Sequence, residues 1–154
     1  MPDGGLAEEI QARRRWIGVL AKARPAELDE AWSGLTPRPG YVFLRKPESG
    51  LVMMRGRMGG DGQPFNLGEI TVTRCSVRLD SGQVGHATVA GRSMRHAELA
   101  AVFDALMQDG DHGAEIEATV IVPLALRQHE RREETSRKTA ATRVEFFTLA
   151  RGSD

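Results

Sequence analysis

The sequence predicts a single domain of the α+β class, in which helices flank an antiparallel β-meander. Apolar residues recur at helical spacing at the start of the chain and again after residue 93. Short β-rich runs fill the middle, and their connectors are too short for parallel crossovers. A chain of 154 residues can also bury a real core without disulfides or metals.

Two helices are predicted at the N-terminal end. The first is indicated by apolar residues near helical spacing, Leu6, Ile10, Ile17 and Leu20. Pro25 opens the second, because proline is tolerated in a first helical turn. The segment TPRPG at 36–40 ends the pair, and residues 1–13 are expected to be flexible.

A meander of four strands is predicted next, at 41–45, 51–58, 69–79 and 83–91. The connectors KPESG, GGDGQPFNLG and DSG are rich in turn-forming residues and favour hairpins. A turn at 80–82 pairs residue 79 with 83, which places Cys75 opposite residue 87 and His86 on the other face.

The apolar face of the strand at 69–79 changes midway, from even-numbered to odd-numbered residues. Either of two structures would explain the change. One is a bulge near Thr73 and Arg74, and the other is a strand whose beginning is covered on both faces.

Two helices and a returning strand complete the predicted fold. Ser93 caps a helix with one apolar stripe, formed by Leu99, Val102, Phe103, Leu106 and Met107. Another helix runs through EIEATVIVPLAL into RQHERREETSRK, and Pro123 should kink or break it. Residues 127–142 are expected to be a charged helix, supported by Glu133–Arg137 and Glu134–Lys138 pairs, or partly disordered. VEFFTLA at 144–150 is predicted as a fifth strand, with Phe146 and Phe147 on opposite faces.

Charge and cysteine content exclude several classes of function. Lys plus Arg and Asp plus Glu are both 21, so no net field attracts a polyanion, and nucleic acid is not an expected partner. A single Cys75 excludes an internal disulfide and fits a reducing cytoplasm. No apolar run approaches the ~18 residues of a membrane helix, and no signal-peptide core is present. We therefore expect a cytoplasmic chain without membrane contact.

Few residues are equipped for catalysis. Cys75 could act as a nucleophile with His86 as its base, but the predicted register separates the two, and a small buried side chain is the alternative. The four histidines have no metal-ligand spacing, although His96 and Glu98 are close in sequence. No catalytic residue and no metal site is assigned.

Two segments could bind an anion. In AGRSMRHAEL, Arg92 and Arg95 flank the start of a helix whose free amides attract phosphate, and an ordinary capped surface helix is the alternative. In RGRMGGDGQ, Arg55 and Arg57 precede several glycines in a predicted hairpin loop that matches no phosphate-loop consensus.

Three stretches of the sequence together carry a family resemblance: GLVMMRGRMGGDGQPFNLGEITVTRCSVRL, VGHATVAGRSMRHAELAAVFDALMQ and VEFFTLARG. They resemble the PhnG family, a subunit of the bacterial carbon-phosphorus lyase system for phosphonate use. The resemblance extends from about Arg14 to Gly152. It implies a core complex with two copies each of this subunit, PhnH, PhnI and PhnJ. That complex transfers an alkylphosphonate to the ribose of ATP and releases adenine, with PhnI as the nucleosidase-like partner.

The resemblance leads to the hypothesis that the chain is a non-catalytic or co-catalytic subunit. It would bind no cofactor of its own, and ATP and alkylphosphonate would be substrates of the complex. PhnI would be the main partner of its sheet and last helix. Arg55, Arg57, Arg74 and Arg92 would contact triphosphate, phosphonate or a partner carboxylate, and Asn66 and Glu69 would hold a turn. The remaining residues expected at the shared site or interface are Thr73, His86 and His96. The alternatives are a stand-alone enzyme that uses Cys75 or a histidine, and a purely structural binding subunit.

Overall fold

The computed structural model describes residues 3–57, 59–60 and 62–151, with side chains for residues 4–143 of these ranges. Its elements in chain order are α1 (Asp3–Lys22), α2 (Pro25–Ser33), β1 (Tyr41–Arg57), β2 (Pro64–Leu79), β3 (Val84–Ala90), α3 (Met94–Met107), α4 (Gly113–Ile116), a π-helical segment (Glu117–Ile121) and α5 (Val122–Arg151). The α+β class is therefore confirmed. The strands form one antiparallel sheet in the order β1-β2-β3.

Helix α3 is the centre of the core. It packs against β2 and β3 on one side and against α1, α2 and α4 on the other. Its predicted apolar stripe is confirmed, but the helix is buried on nearly all sides, because small residues such as Ala97 and Ala101 fill the face opposite the stripe. Gly85 on β3 lies so close to α3 that an added Cβ would fall 2.6 Å from the Ala105 nitrogen.

A buried carboxylate joins α1 to this core. Asp104 on α3 is fully buried and accepts hydrogen bonds from Arg13 Nη2 at 2.9 Å and from Trp16 Nε1 at 2.8 Å. It also accepts one from the backbone amide of His86 at 2.9 Å. Since a buried charge is costly without partners, this set of donors determines how α1, α3 and β3 fit together. The N-terminal part of α1 is less well packed, with Leu6 61% exposed.

Among the described residues, the meander has three strands and not four. The predicted strands 41–45 and 51–58 form one strand, β1, and KPESG is a distortion within it, because the pairing register shifts between Phe43 and Arg45 and between Arg45 and Glu48. Proline can occupy such a distortion on an edge strand, where its missing amide proton breaks no ladder. The turn-forming residues of KPESG therefore mark bulges within a strand and not a turn.

Strand β2 begins at Pro64, five residues before its predicted start at residue 69. A bulge at Leu67 and Gly68 adds one residue, since Met54 pairs with Gly68 and Arg55 with Asn66. Gly68 has φ +146°, which glycine adopts without the strain that a side chain would cause. The early start lengthens the β1–β2 hairpin well beyond the rest of the sheet.

Both explanations for the changing apolar face of β2 are wrong. Thr73 and Arg74 themselves carry no bulge, since the nearest irregularity lies on β1 between Arg45 and Glu48, and residues 64–70 are exposed on both faces. Ile70 lies in this exposed part of the strand, whereas the odd-numbered Cys75, Val77 and Leu79 lie where α3 packs on β2. The tight turn after Leu79 is confirmed, with the Leu79 amide donating to Gln83 O at 2.9 Å.

The C-terminal part of the chain is helical. Pro123 does not end the helix: it is the second residue of α5, where proline is tolerated, and the π-helical segment runs directly into α5. The Glu134–Lys138 pair is present at 3.2 Å, and residues 127–142 are helical throughout. The predicted strand at 144–150 is wrong, since α5 continues to Arg151; no glycine or proline occurs between residues 124 and 151 to stop a helix already formed. The predicted orientation of Phe146 and Phe147 lies outside the described side chains.

Candidate functional site

The sheet has one face covered by α3 and one face open to solvent. Cys75, Val77 and Val89 lie on the covered face and are buried. The open face carries polar side chains at the alternate positions, because successive residues of a strand point to opposite sides. We use "open face" for the side chains of this mainly polar side, which are Val42, Arg45, Glu48, Arg74, Ser76, Arg78, His86 and Thr88.

A hydrogen-bonded pair lies in the middle of the open face. Ser76 and His86 are direct partners on β2 and β3, and Ser76 Oγ is 2.7 Å from His86 Nδ1. Arg45 on β1 is the partner of Ser76 on the other side. The backbone amide of His86, and not its ring, donates to Asp104. Within the described ranges, no carboxylate therefore orients the imidazole, as a serine nucleophile with a histidine base would need.

Arginines surround this pair. Arg74 and Arg78 are two residues from Ser76 on the same face of β2, and both are exposed. In the described part of the chain neither makes an ion pair, whereas Arg45 lies 3.7 Å from Glu48. Guanidinium groups bind carboxylates and phosphates through two parallel hydrogen bonds. The open face can therefore bind an anionic group.

Four of the predicted site residues lie beyond this face, on the extended hairpin. We call residues 51–57 and 64–70 the ribbon. Arg55 and Arg57 on β1 and Asn66 on β2 are exposed near its tip, and Arg55 is the direct partner of Asn66. Glu69 pairs with Met53 nearer the base. Asn66 and Glu69 thus lie within a strand and not in a turn, which corrects the role predicted for them.

Thr73 and His96 are buried and have structural partners. Thr73 Oγ1 donates to the carbonyl oxygen of Gly91 at 2.7 Å and lies 2.9 Å from Ser49 Oγ. His96 is 6% exposed, and its Nε2 is 3.0 Å from the carbonyl oxygen of Leu20. Both side chains are used in joining elements of the fold.

The start of α3 is a capped helix terminus. Ser93 Oγ accepts a hydrogen bond from the His96 amide at 3.2 Å, as its predicted capping role requires. Arg92 is exposed there, but Arg95 pairs with Asp29 at 2.9 Å and with Glu98 at 3.4 Å. One of the two arginines expected to flank an anion is therefore already neutralised.

Cys75 is poorly placed for nucleophilic chemistry. It is 1% exposed and its strand partner is Ala87, so the predicted separation from His86 is confirmed. Burial, with a contribution from Glu98, raises the pKa of the Cys75 thiol to about 11. Because the thiolate is the nucleophile, a thiol that stays protonated near neutral pH is unreactive.

Ser76, Arg78 and Arg45 were not among the predicted site residues. The period of two along β2 places Ser76 and Arg78 with Arg74, so the signal for these two was present in the sequence. Arg45 could not be found in this way, since the distortions of β1 break the period on either side of it. Across the described residues, no group of three or more His, Cys, Asp or Glu side chains could hold a metal ion.

Comparison with known proteins identifies the family. The family described as "Phosphonate metabolism protein PhnG" matches residues 11–152. The chain belongs to the PhnG family. A relative from Rhizobium meliloti (strain 1021), named "Alpha-D-ribose 1-methylphosphonate 5-triphosphate synthase subunit PhnG", is 46% identical over 153 residues, which are 99% of this chain and 94% of the relative. For this PhnG-family chain, the helices within the described ranges include none with a long enough apolar stretch to cross a bilayer.

Proposed function

We propose that this chain is a subunit of a ribose 1-methylphosphonate 5-triphosphate synthase complex in phosphonate catabolism. The observation that carries the proposal is the 46% identity to a named synthase subunit over nearly the whole of both chains. The complex would transfer an alkylphosphonate to the ribose of ATP and release adenine. This chain supports that reaction and supplies no catalytic residue to it.

The chemistry of the described side chains favours a subunit that assists the reaction without supplying a catalytic residue. Cys75 is buried with a raised pKa, and the Ser76–His86 pair has no carboxylate on the imidazole ring. The open face instead offers Arg74 and Arg78, which suit the binding of an anion. Their partner is either a phosphate or phosphonate group of the substrates or a carboxylate of another subunit.

The assembly proposed here is a hetero-oligomer in the cytoplasm. It contains two copies each of this chain, PhnH, PhnI and PhnJ, with PhnI as the main contact. ATP and the alkylphosphonate are substrates of the assembly, and this chain holds no cofactor. The word "subunit" in the relative's name supports a multi-chain complex.

Adenine release tests this function. The chain is co-expressed with its partner subunits, and the purified complex is incubated with ATP and methylphosphonate while adenine is measured by chromatography. Adenine is expected from the complex and not from the chain alone. Release from the pure chain, abolished by a change at Cys75 or His86, would favour the stand-alone enzyme and contradict the proposal.

The role of the open face is tested with Arg74→Ala and Arg78→Ala. Arg14→Ala is the matched control, because Arg14 is an exposed arginine of α1 and not of the sheet. Normal assembly with slower adenine release indicates a substrate phosphate as the anion, and weaker assembly indicates a partner carboxylate. If both variants behave as Arg14→Ala does, the open face has no such role and a purely structural subunit is favoured.

A further inference from the structure

The ribbon is a part of the molecule that the fold itself does not use. Beyond Gly91, whose amide donates to Thr71 O at 2.8 Å, no third strand accompanies β1 and β2 among the described residues. A two-stranded hairpin alone in water is at best marginally stable. A long hairpin that extends past its sheet therefore requires a further source of stability.

One face of the ribbon is apolar and exposed. Met54 is 43% exposed, Leu67 is 60% exposed and Ile70 is 39% exposed. Phe65 belongs to the same face, because a Cβ on Gly56 would meet the side chains of both Leu67 and Phe65. Contiguous apolar surface of this kind marks interaction sites in soluble proteins.

The opposite face also carries apolar side chains near the base of the ribbon. Leu51 is 65% exposed and Met53 is 49% exposed, and the exposed Glu69, the partner of Met53, lies beside them on this face. Toward the tip this second face becomes basic, with Arg55 and Arg57, and in the described residues neither makes an ion pair. Both faces of the ribbon thus lack cover, and its tip is cationic.

We propose that the ribbon inserts into a cleft on a different subunit, with apolar walls on both sides and carboxylates near the end that receives Arg55 and Arg57. A cleft is required because a flat partner could cover only one of the two apolar faces. This inference deepens the proposed function and rests on it, since it assumes a complex of unlike chains.

A second copy of this chain fits the ribbon less well. Two identical ribbons stacked through their Met54 and Leu67 faces would each leave Leu51 and Met53 in water. Stacking through the other faces would leave Met54 and Leu67 exposed and bring arginines near each other, which is unfavourable. A partner of complementary shape and opposite charge satisfies both faces at once.

The test compares two double variants of the full chain. Met54→Asp/Leu67→Asp places charge on the apolar face of the ribbon. Leu6→Asp/Ile10→Asp is the matched control, because Leu6 and Ile10 are 61% and 47% exposed on α1. Each variant is co-expressed with the other synthase subunits of its own genome and purified through a tag on this chain. Its thermal midpoint and its mass in solution are then measured on the isolated chain.

The ribbon variant is expected to remain folded, with an unchanged thermal midpoint, and to be more soluble than the wild type. Its recovery with the other subunits should fall by at least about 100-fold, because a charge would enter an apolar cleft. The α1 control should assemble as the wild type does. Arg55→Gln/Arg57→Gln should weaken assembly by about tenfold and reduce its dependence on salt.

Three results would overturn the inference in distinguishable ways. Recovery of the ribbon variant at the wild-type level would show that the ribbon is not inserted, while leaving the proposed function intact. A wild-type chain that dimerises alone, and a ribbon variant that is monomeric but still assembles, would identify a second copy as the occupant. Failure of the wild type itself to assemble would contradict the proposed function together with this inference.

Discussion

The same two strands behave differently at their two ends. In the body, by which we mean the helices and sheet residues 41–50, 72–79 and 84–90, β2 is flanked by two strands and covered by α3. In the ribbon, β1 and β2 pair only with each other among the residues that the structure describes. Leu79 is 2% exposed and Leu67 is 60% exposed, although both are leucines of one strand. Burial of a leucine is therefore decided by what covers it.

This difference separates two functions of apolar residues. In the body they stabilise the folded chain, because their removal from water occurs on folding. In the ribbon they remain in water after folding, so any stabilisation they provide must come on association. Substitutions in the two regions should accordingly affect different measurements.

The largest expected effect distinguishes two glycines. Gly85→Ala should prevent stable folding, because the new Cβ would overlap the Ala101 carbonyl and lie 2.6 Å from Ala105 N. Gly50→Ala, at the base of the ribbon, meets no atom within 4 Å and should be neutral or slightly stabilising. Circular dichroism with a thermal scan measures both, and a well-folded Gly85→Ala protein would show that α3 can move away from β3.

The next comparison uses the two leucines of β2. Leu79→Ala should lower the free energy of unfolding by about 3 kcal/mol, since it leaves a cavity in a packed core. Leu67→Ala should change it by less than about 0.5 kcal/mol, as is usual at exposed positions. Urea unfolding of the isolated chain gives both values. A large loss from Leu67→Ala would mean that the ribbon packs on the body in solution.

Asp104→Ala should lower the free energy of unfolding by somewhat less, on the order of 2 kcal/mol, because Arg13 is partly exposed and its guanidinium regains water. The exposed Asp111→Ala serves as control and should be nearly neutral. We expect this loss of stability to come from weaker packing of α1, which hydrogen exchange would detect as reduced protection of the α1 amides. Unchanged protection of the α1 amides would show that Asp104 does not hold α1 on the core.

The smallest effect concerns the pH dependence of stability. The pKa of Cys75 is raised from 9.0 to about 11, so the native state holds the proton more tightly than the unfolded state. The resulting stabilisation is fully present below pH 9 and is lost as the pH rises toward 11. Over this pH window the unfolding free energy should therefore fall less for Cys75→Ala than for the wild type, with a difference on the order of 2 kcal/mol at most.

Labelling of the same thiol extends the comparison to the ribbon. Cys75 should react slowly with an alkylating reagent at neutral pH, because it is buried and protonated. A cysteine introduced by Leu51→Cys in the Cys75→Ala chain should react as fast as a model thiol. Equal rates for the two cysteines would mean that the body opens readily around β2.

The tight turn after Leu79 and the helix capped by Ser93 could be predicted from the sequence because local chemistry decides them. The merging of two predicted strands into β1 could not, since KPESG reads as a turn until β2 is present to pair on both sides of it. The helical ending of the chain was missed for a related reason. VEFFTLA has strand propensity, but it follows a helix with nothing to stop it.

For the candidate site, period-two spacing placed Arg74 and His86 on a common side, away from Cys75. This spacing could not show that Thr73 and His96 form hydrogen bonds that join elements of the fold, because their partners, Gly91 and Leu20, lie far away in the sequence. Nor could it show that Arg95 is neutralised by Asp29.

By itself the sequence determined the class of fold, the family, and the alternation of side chains along each strand, because these depend on residues close together in the chain. The tertiary structure alone decided which face of the sheet is covered and which polar groups are hydrogen-bonded within the core. It also decided that the hairpin extends beyond the body as a ribbon. These depend on which distant surfaces meet, and burial is a property of the packed chain as a whole.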